Sequence, residues 1–214
     1  MASKSSQDGA PGALRSDAVL NRERIVRAAR EVFTERGIDA PLSAVARRAG
    51  VSVATLHRRF SARDDLVVAA FAEQLGRCTA ALDDALIHPD PWLALGALVE
   101  KICGMQCAER GFTEAFFLRH PEFADDRLSR AEHQLGQLIE KGQLTGRVRP
   151  DVTAADVMLL LVCNAALVSS AHAPRAASAR LVAQFLRAFD ARGGHPLPPL
   201  PAREWHPLMQ VLDR

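Results

Sequence analysis

Five arginines fall between residues 41 and 63 (Arg47, Arg48, Arg58, Arg59 and Arg63), and no Asp or Glu falls among them. A field of one sign over a short stretch attracts anions, phosphate foremost. Charge by itself fits a solvated helix face as well as a phosphate surface. The net charge of the whole chain, +2, conceals the asymmetry. Residues 1–65 carry twelve Lys/Arg against eight Asp/Glu, and residues 66–214 carry fifteen against seventeen. Other chemistry lacks its residues. The sequence has no phosphate-cradling glycine loop, no nucleophile elbow and no HExxH. Two acid pairs, Glu109 with Glu114 and Asp125 with Asp126, fall in polar contexts at helix boundaries. An enzyme is not expected, and neither is a cofactor.

Cys78, Cys103, Cys107 and Cys163 form no CxxC, and their spacing fits neither a disulfide framework nor a zinc finger. Cys103 and Cys107 share a helix face, which a soft metal or an oxidant sensor can use. Two small buried hydrophobes have the same spacing, and that is the expectation here. His88, His133 and His172 are scattered, so no metal site is expected. The N-terminal stretch carries no apolar run of signal-peptide length. The longest apolar stretch, Val157 to Val168, is interrupted by Asn164 and is too short to span a bilayer. A reduced, cytoplasmic protein with no membrane partner is expected. Arg outnumbers Lys twenty-four to three, in keeping with a GC-rich bacterial genome.

The basic stretch must be held by elements, and these read as helices. Ala, Leu and Arg dominate the composition, and alternating β-branched runs are lacking. Residues 1–16 are small and polar and read as a disordered arm. The first helix runs from about Asp17 or Asn21 to Arg36. Ile25, Ala28, Ala29, Val32 and Phe33 form its apolar stripe, and Gly37 caps its end. A short second helix starts near Pro41, buries Leu42, Val45, Ala46 and Ala49, and ends at Gly50. Ser52 is the N-cap of a third, running to about Phe60. Ser61 with Asp64 makes a capping box for a fourth. The stripe Val67, Phe71, Leu75, Cys78 and Leu82 carries that helix on towards a second domain.

The two short helices around Gly50, LSAVARRAGVSVATLHRRF at 42–60, have the architecture of a helix-turn-helix. Ala46 and Ala49 are small enough for a close crossing. Gly50 permits a turn conformation that other residues resist. Val45, Val51, Leu56 and Phe60 lock the crossing from the core side. The opposite face of the third helix projects Val53, Ala54, Thr55, His57, Arg58 and Arg59. A helix fits the major groove, and its N-terminal residues reach base edges there.

Over residues 21–70 the chain resembles the N-terminal domain of the TetR family of regulators. The likeness lies in AAREVFTERG at the end of the first helix, in AVARRAGVSVATLHRRF, and in SARDDLV at the start of the fourth helix. Where the family usually has Tyr in the recognition helix this chain has His57, and the usual Lys opening the fourth helix is Arg63. The resemblance implies a homodimer with N-terminal DNA-binding heads, a C-terminal ligand-binding and dimerisation domain, and a palindromic operator. Thr55, His57 and Arg63 are the expected phosphate contacts, which set register without reading sequence. Val53, Ala54 and Arg58 are the expected base readers, with thymine methyls and guanine as their targets. Arg47 and Arg48 on the second helix fit phosphate contact or plain solvation equally.

After a break at 83–91, further helices are expected at Pro91 to about Ala108, Thr113–His120, Asp125–Lys141, Val157–Ala173 and from Pro174 to about Arg192. A glycine-containing turn at Gly142–Gly146 and a Thr153/Asp156 capping box punctuate them. By the resemblance, the helices from Pro91 to Lys141 enclose an effector pocket. Trp92, Leu95, Ile102, Met105, Phe112, Phe116 and Phe117 are the lining candidates, with Arg119 and His120 as polar anchors. The same apolar spacing serves a plain helical core. The Val157–Val168 helix is apolar nearly all round and must be covered on every side. With the last helix it is the natural homodimer bundle. The Pro-rich residues 193–214 read as an irregular tail.

The whole amounts to an all-α chain of about nine helices. Its expected domains are an arm at 1–16, a helix-turn-helix head at 17–65, a helical effector-binding and dimerisation domain at 66–192, and the tail. The expected function is a repressor released from a palindromic DNA operator by a small-molecule effector.

Overall fold

The computed structural model describes residues 11–119, 125–170 and 174–193. Among these residues the chain forms ten α-helices and one π-helical turn, with a single isolated β-bridge and no strand. The all-helical class is the one expected. The chain divides into two compact units between Ala70 and Phe71.

The first unit contains α1 (Pro11–Arg36), α2 (Leu42–Ala49), α3 (Val53–Arg59) and α4 (Arg63–Ala70). Ile25, Ala28, Ala29, Val32 and Phe33 are all buried, so the stripe in the sequence is the core face of α1. The helix starts at Pro11 rather than Asp17 or Asn21, so residues 11–16 of the expected arm are helical. Pro11 suits a first helical turn, and after Gly12 no Gly or Pro interrupts the run to Arg36. Residues 1–10 lie outside the described residues. Gly37, at φ 81°, closes α1 by donating its N–H to Phe33 O at 3.0 Å. The expected Ser61/Asp64 capping box at the fourth helix is replaced by a side-chain contact one residue further on. Ser61 Oγ bonds Asp65 Oδ2 at 3.0 Å in place of the expected Asp64. Because α4 begins at Arg63, Ala62 holds the N-cap position and Ser61 precedes it, so the serine meets the acid of the third helical residue through side chains alone.

The expected long fourth helix is two helices, α4 and α5 (Ala72–Ile87). They are separated at Phe71, whose backbone (φ −113°, ψ 15°) leaves the helical region. The Phe71 side chain is fully buried in an aromatic cluster with Phe112 and Phe116, at centroid distances of 6.1 and 6.2 Å. Tertiary packing here overrides a continuous helical pattern.

The second unit continues with α6 (Pro91–Ala108), α7 (Arg110–Thr113), a π-turn at Glu114–Arg119, α8 (Asp125–Leu144), α9 (Ala154–Ser170) and α10 (Pro174–Phe189). Asp90 caps α6, its Oδ1 accepting from the N–H groups of Trp92 and Leu93 at 2.9 and 3.0 Å, with Pro91 in the first turn. The expected helix at Thr113–His120 is instead the short α7 followed by the π-turn, and His120 lies outside the described residues. The Thr153/Asp156 box forms: Asp156 Oδ2 accepts from the N–H and hydroxyl of Thr153, both at 2.8 Å. Leu95, Val99, Leu138, Leu160, Val182 and Phe189 belong to one buried core drawn from α6, α8, α9 and α10. Beyond α8, Arg149 N–H donates to Phe189 O and Ala191 N–H to Arg147 O, both at 3.0 Å, tying that loop to the end of α10. No described helix is long and apolar enough to cross a membrane. Of the expected tail at 193–214, all but residue 193 lies outside the described residues.

Candidate nucleic-acid interface

The turn between α2 and α3 is set by local chemistry. Gly50 sits at φ 67°, ψ 35°, in the left-handed region. Its N–H reaches Arg47 O at 3.2 Å, and the N–H of Val51 reaches Ala46 O at 3.0 Å. These paired bonds are a Schellman ending, which satisfies carbonyls that the helix leaves open. Ser52 then starts α3, its Oγ accepting the N–H of Thr55 at 3.1 Å and lying 2.9 Å from Thr55 Oγ1. Leu56 and Phe60 are buried on the core side. The Arg22 guanidinium stands 5.1 Å over the Phe60 ring.

The solvent side of α3 carries Val53, Ala54, His57, Arg58 and Arg59, all exposed, while Thr55 is half-buried with its hydroxyl beside Ser52. Val53, at the first position of α3, is 41% exposed. The arrangement offers an apolar tip followed by cations along one short helix.

The five arginines of the basic stretch part company. Arg47, Arg58 and Arg59 project into solvent. Arg48 is committed to α1: its guanidinium bonds Glu31 at 3.0 Å and both Glu35 oxygens, at 3.0 and 2.7 Å. The same contact holds the Glu35 carboxyl below the usual carboxylate range. The absence of acids from residues 41–63 is thus offset by acids from another helix. Arg63 donates through Nη1 to Ile38 O and Ala40 O, at 2.7 and 2.9 Å. It ties the loop between α1 and α2 to the start of α4, a structural role that its place in the sequence does not announce. Arg24 of α1 was likewise unforeseen; its Nη2 donates to Ala49 O at 2.9 Å and closes the end of α2.

In the second unit the effector-pocket candidates are distributed over two packed groups. Leu95 is in the central core, with Trp92, Ile102 and Phe117 packed against it. Phe112 and Phe116 stack with Phe71, their own centroids 5.4 Å apart, and Met105 is buried. The side chain of Arg119 is outside the described residues. The second unit also holds a buried polar chain that its apolar pattern does not announce. Gln74 Nε2 donates to Glu109 Oε2 at 2.5 Å. Thr113 Oγ1 donates to the carbonyls of Gln106 and Glu109, both at 3.1 Å. Gln106 Nε2 donates to Leu161 O at 3.0 Å, and Asn164 Nδ2 to Gln106 Oε1 at 2.7 Å. These bonds fix each amide's orientation and leave Gln74 Oε1 and Asn164 Oδ1 buried without a partner. Two signals were present: Gln74 stands in the apolar stripe of its helix, and Asn164 interrupts the apolar run of α9. Cys103 is buried, and burial pushes its thiol up to about 12. Among the described residues no three His, Cys, Asp or Glu side chains gather as for a metal.

Residues 25–70 match the family described as bacterial regulatory proteins, tetR family. Residues 90–188 match the SbtR-like transcriptional regulator C-terminal domain. The TetR transcriptional regulator SCO0520 of Streptomyces coelicolor is 30% identical and superimposes with a TM-score of 0.55, over 79% of this chain and 98% of that one. A TetR transcription regulatory protein of Mycobacterium vanbaalenii is 28% identical with a TM-score of 0.53, over 83% and 99%. A TetR-family regulator of Pectobacterium atrosepticum shares the fold at 17% identity, with a TM-score of 0.61 over 82% and 97%. No curated protein matches. These relatives are transcription regulators, not enzymes. The turn at Gly50, the exposed cationic face of α3 and identity sustained over nearly the whole length of a solved relative make this chain a member of the TetR family of DNA-binding transcriptional regulators.

Proposed function

We propose that the protein is a repressor whose homodimer binds a palindromic operator and is released by a small-molecule effector. The observation that carries this reading is α3, a short capped helix that presents Val53, Ala54, His57, Arg58 and Arg59 to solvent. In this reading Val53, Ala54 and Arg58 read base edges, and Thr55, His57, Arg59 and Arg47 position the helix on phosphates. Arg63 contributes chiefly by holding the α1–α2 loop. The homodimer forms through α9 and α10. The half-exposed apolar side chains Met158, Leu159, Val162 and Cys163 on α9, and exposed Ala176, Ala179 and Ala183 on α10, support that surface. A twofold dimer suits a palindromic site.

The effector binds in the second unit. Its support is the pair of unpartnered amide oxygens, Gln74 Oε1 and Asn164 Oδ1, in the interior that also holds Phe71, Phe112 and Phe116. An unsatisfied buried acceptor costs about 1–3 kcal/mol, which a donor on a ligand recovers. The effector shifts DNA affinity only through its different affinity for the DNA-competent and released states.

Selection of bound fragments from a genomic library, followed by anisotropy on the enriched sequence, tests the reading. One enriched palindrome with roughly thousandfold preference over random duplex supports a specific regulator. Salt-sensitive binding with no enriched sequence replaces it with an architectural DNA binder. An effector that binds tightly and leaves DNA affinity unchanged removes the release step.

A further inference from the structure

A concave basic site lies between α1 and α2 in the first unit, bordered by the turn that leads into α3. Its walls include Arg24 and Arg27 of α1, Arg47 and Arg48 of α2, with Glu31 and Gly50. The cavity measures about 220 Å³. At about 30 Å³ per water, that is room for a tetrahedral oxyanion with several waters. Glu31 and Glu35 are both bonded to Arg48 and together outweigh its charge by one, so the positive field of the site comes from Arg24, Arg27 and Arg47. Among the described residues no carboxylate is paired with Arg27 or Arg47. The carbonyl end of α2 carries partial negative charge that repels an anion. Arg24 Nη2 covers it by bonding Ala49 O at 2.9 Å, which also fixes that guanidinium on the cavity wall. Glycine at 50 leaves the space: a Cβ there would stand 3.0 Å from Arg24 Nη2.

The site's position suggests its ligand. Gly50 is three residues before Val53, the first residue of α3. When the first turn of α3 enters a major groove, the turn preceding it lies at the groove rim, where backbone phosphates are. We infer that Arg27 and Arg47 jointly clamp one DNA backbone phosphate in this cavity, with Arg24 as the fixed wall. The inference rests on the DNA-binding reading of α3. The clamp is independent of sequence, so it acts on any duplex.

The test uses the full chain and a random-sequence duplex, with affinity followed by anisotropy across salt concentrations. Arg27→Gln, Arg47→Gln, the double variant and the distant Arg36→Gln are compared, with thermal melts to show that each is folded. Each phosphate contributes about 0.9 to the slope of log affinity against log salt, or about a 3.5-fold change between 50 and 200 mM. A shared clamp predicts that each single variant and the double lose about one unit of slope, while Arg36→Gln loses none. A double variant that loses about two units means two separate phosphates and overturns the shared clamp. Folded variants with the wild-type slope overturn the site altogether. A wild-type protein that binds no duplex brings down the DNA-binding reading instead.

Discussion

In the first unit Ser52 and Thr55 meet across three residues of chain, whereas in the second Gln106 and Asn164 meet across 58. The contrast is between the turn that presents α3 and the polar interior of the second unit; elsewhere the head has long-range bonds of its own, Arg48 to Glu35 and Arg63 to Ile38. The turn of the head is set by Gly50 and Ser52, each acting on its immediate neighbours. The polar interior of the second unit joins α5, α6, α7 and α9, and none of its side-chain amides finds a partner on its own helix. Locally determined groups end on the surface, where they can meet a rigid partner such as DNA. In the second unit the amides satisfied by distant segments end inside, where their geometry depends on how the helices pack. A recognition surface calls for the first kind of construction, and a site that responds to a ligand is better served by the second.

The largest effect expected is in the interior. Phe112→Ala removes a ring packed against Phe71, Phe116 and Phe117, and should destabilise the protein by about 3–5 kcal/mol in chemical denaturation. A loss under about 1 kcal/mol would mean the cluster is loosely packed, and the contrast between the units would weaken. On the surface, Arg58→Ala should cost about 1–3 kcal/mol in operator binding and relax preference at one position, with the melting temperature unchanged. A uniform loss across all sequences would reassign Arg58 to a phosphate. Gly50→Ala forces a Cβ into the left-handed region and against Arg24, and should cost about 1–2 kcal/mol of stability. Ser52→Ala removes the cap of α3 for about 1 kcal/mol, read in the same melts.

The smallest structural perturbation is a chemical probe. Burial first, and then the neighbouring Cys107, pushes the Cys103 thiol up to about 12, so it stays protonated as pH rises through neutrality. At pH 8 its alkylation should be slower than in the unfolded chain by roughly a thousandfold, the ratio of thiolate fractions. Mass-spectrometric mapping that found Cys103 labelled in the native protein at the unfolded rate would show that this part of the interior opens readily.

Legibility in the sequence follows the same division. The stripe of α1, the glycine caps, the Ser52 cap and the exposed face of α3 rest on contacts within one turn of chain, and periodicity exposes such contacts. The break at Phe71 was hidden, because Val67, Phe71 and Leu75 keep perfect helical spacing; the ring's attachment to Phe112 and Phe116 decides the backbone there. In the sequence Arg48 and Arg63 belong to a basic field, because the acids and carbonyls that engage them lie 13 to 25 residues away in the chain. The candidate pocket residues were recognisable as apolar, but apolar spacing does not say whether a side chain faces a cavity or another helix.

The sequence by itself determined the helical class, the ends of the short helices and the residues that α3 turns to solvent, because capping, glycine conformation and amphipathic period act within a few residues. Only the tertiary structure decided which arginines remain available as charges and which buried amides are left without a partner. Ion pairing and hydrogen-bond satisfaction depend on distance in space, and segments far apart along the chain supply the partners.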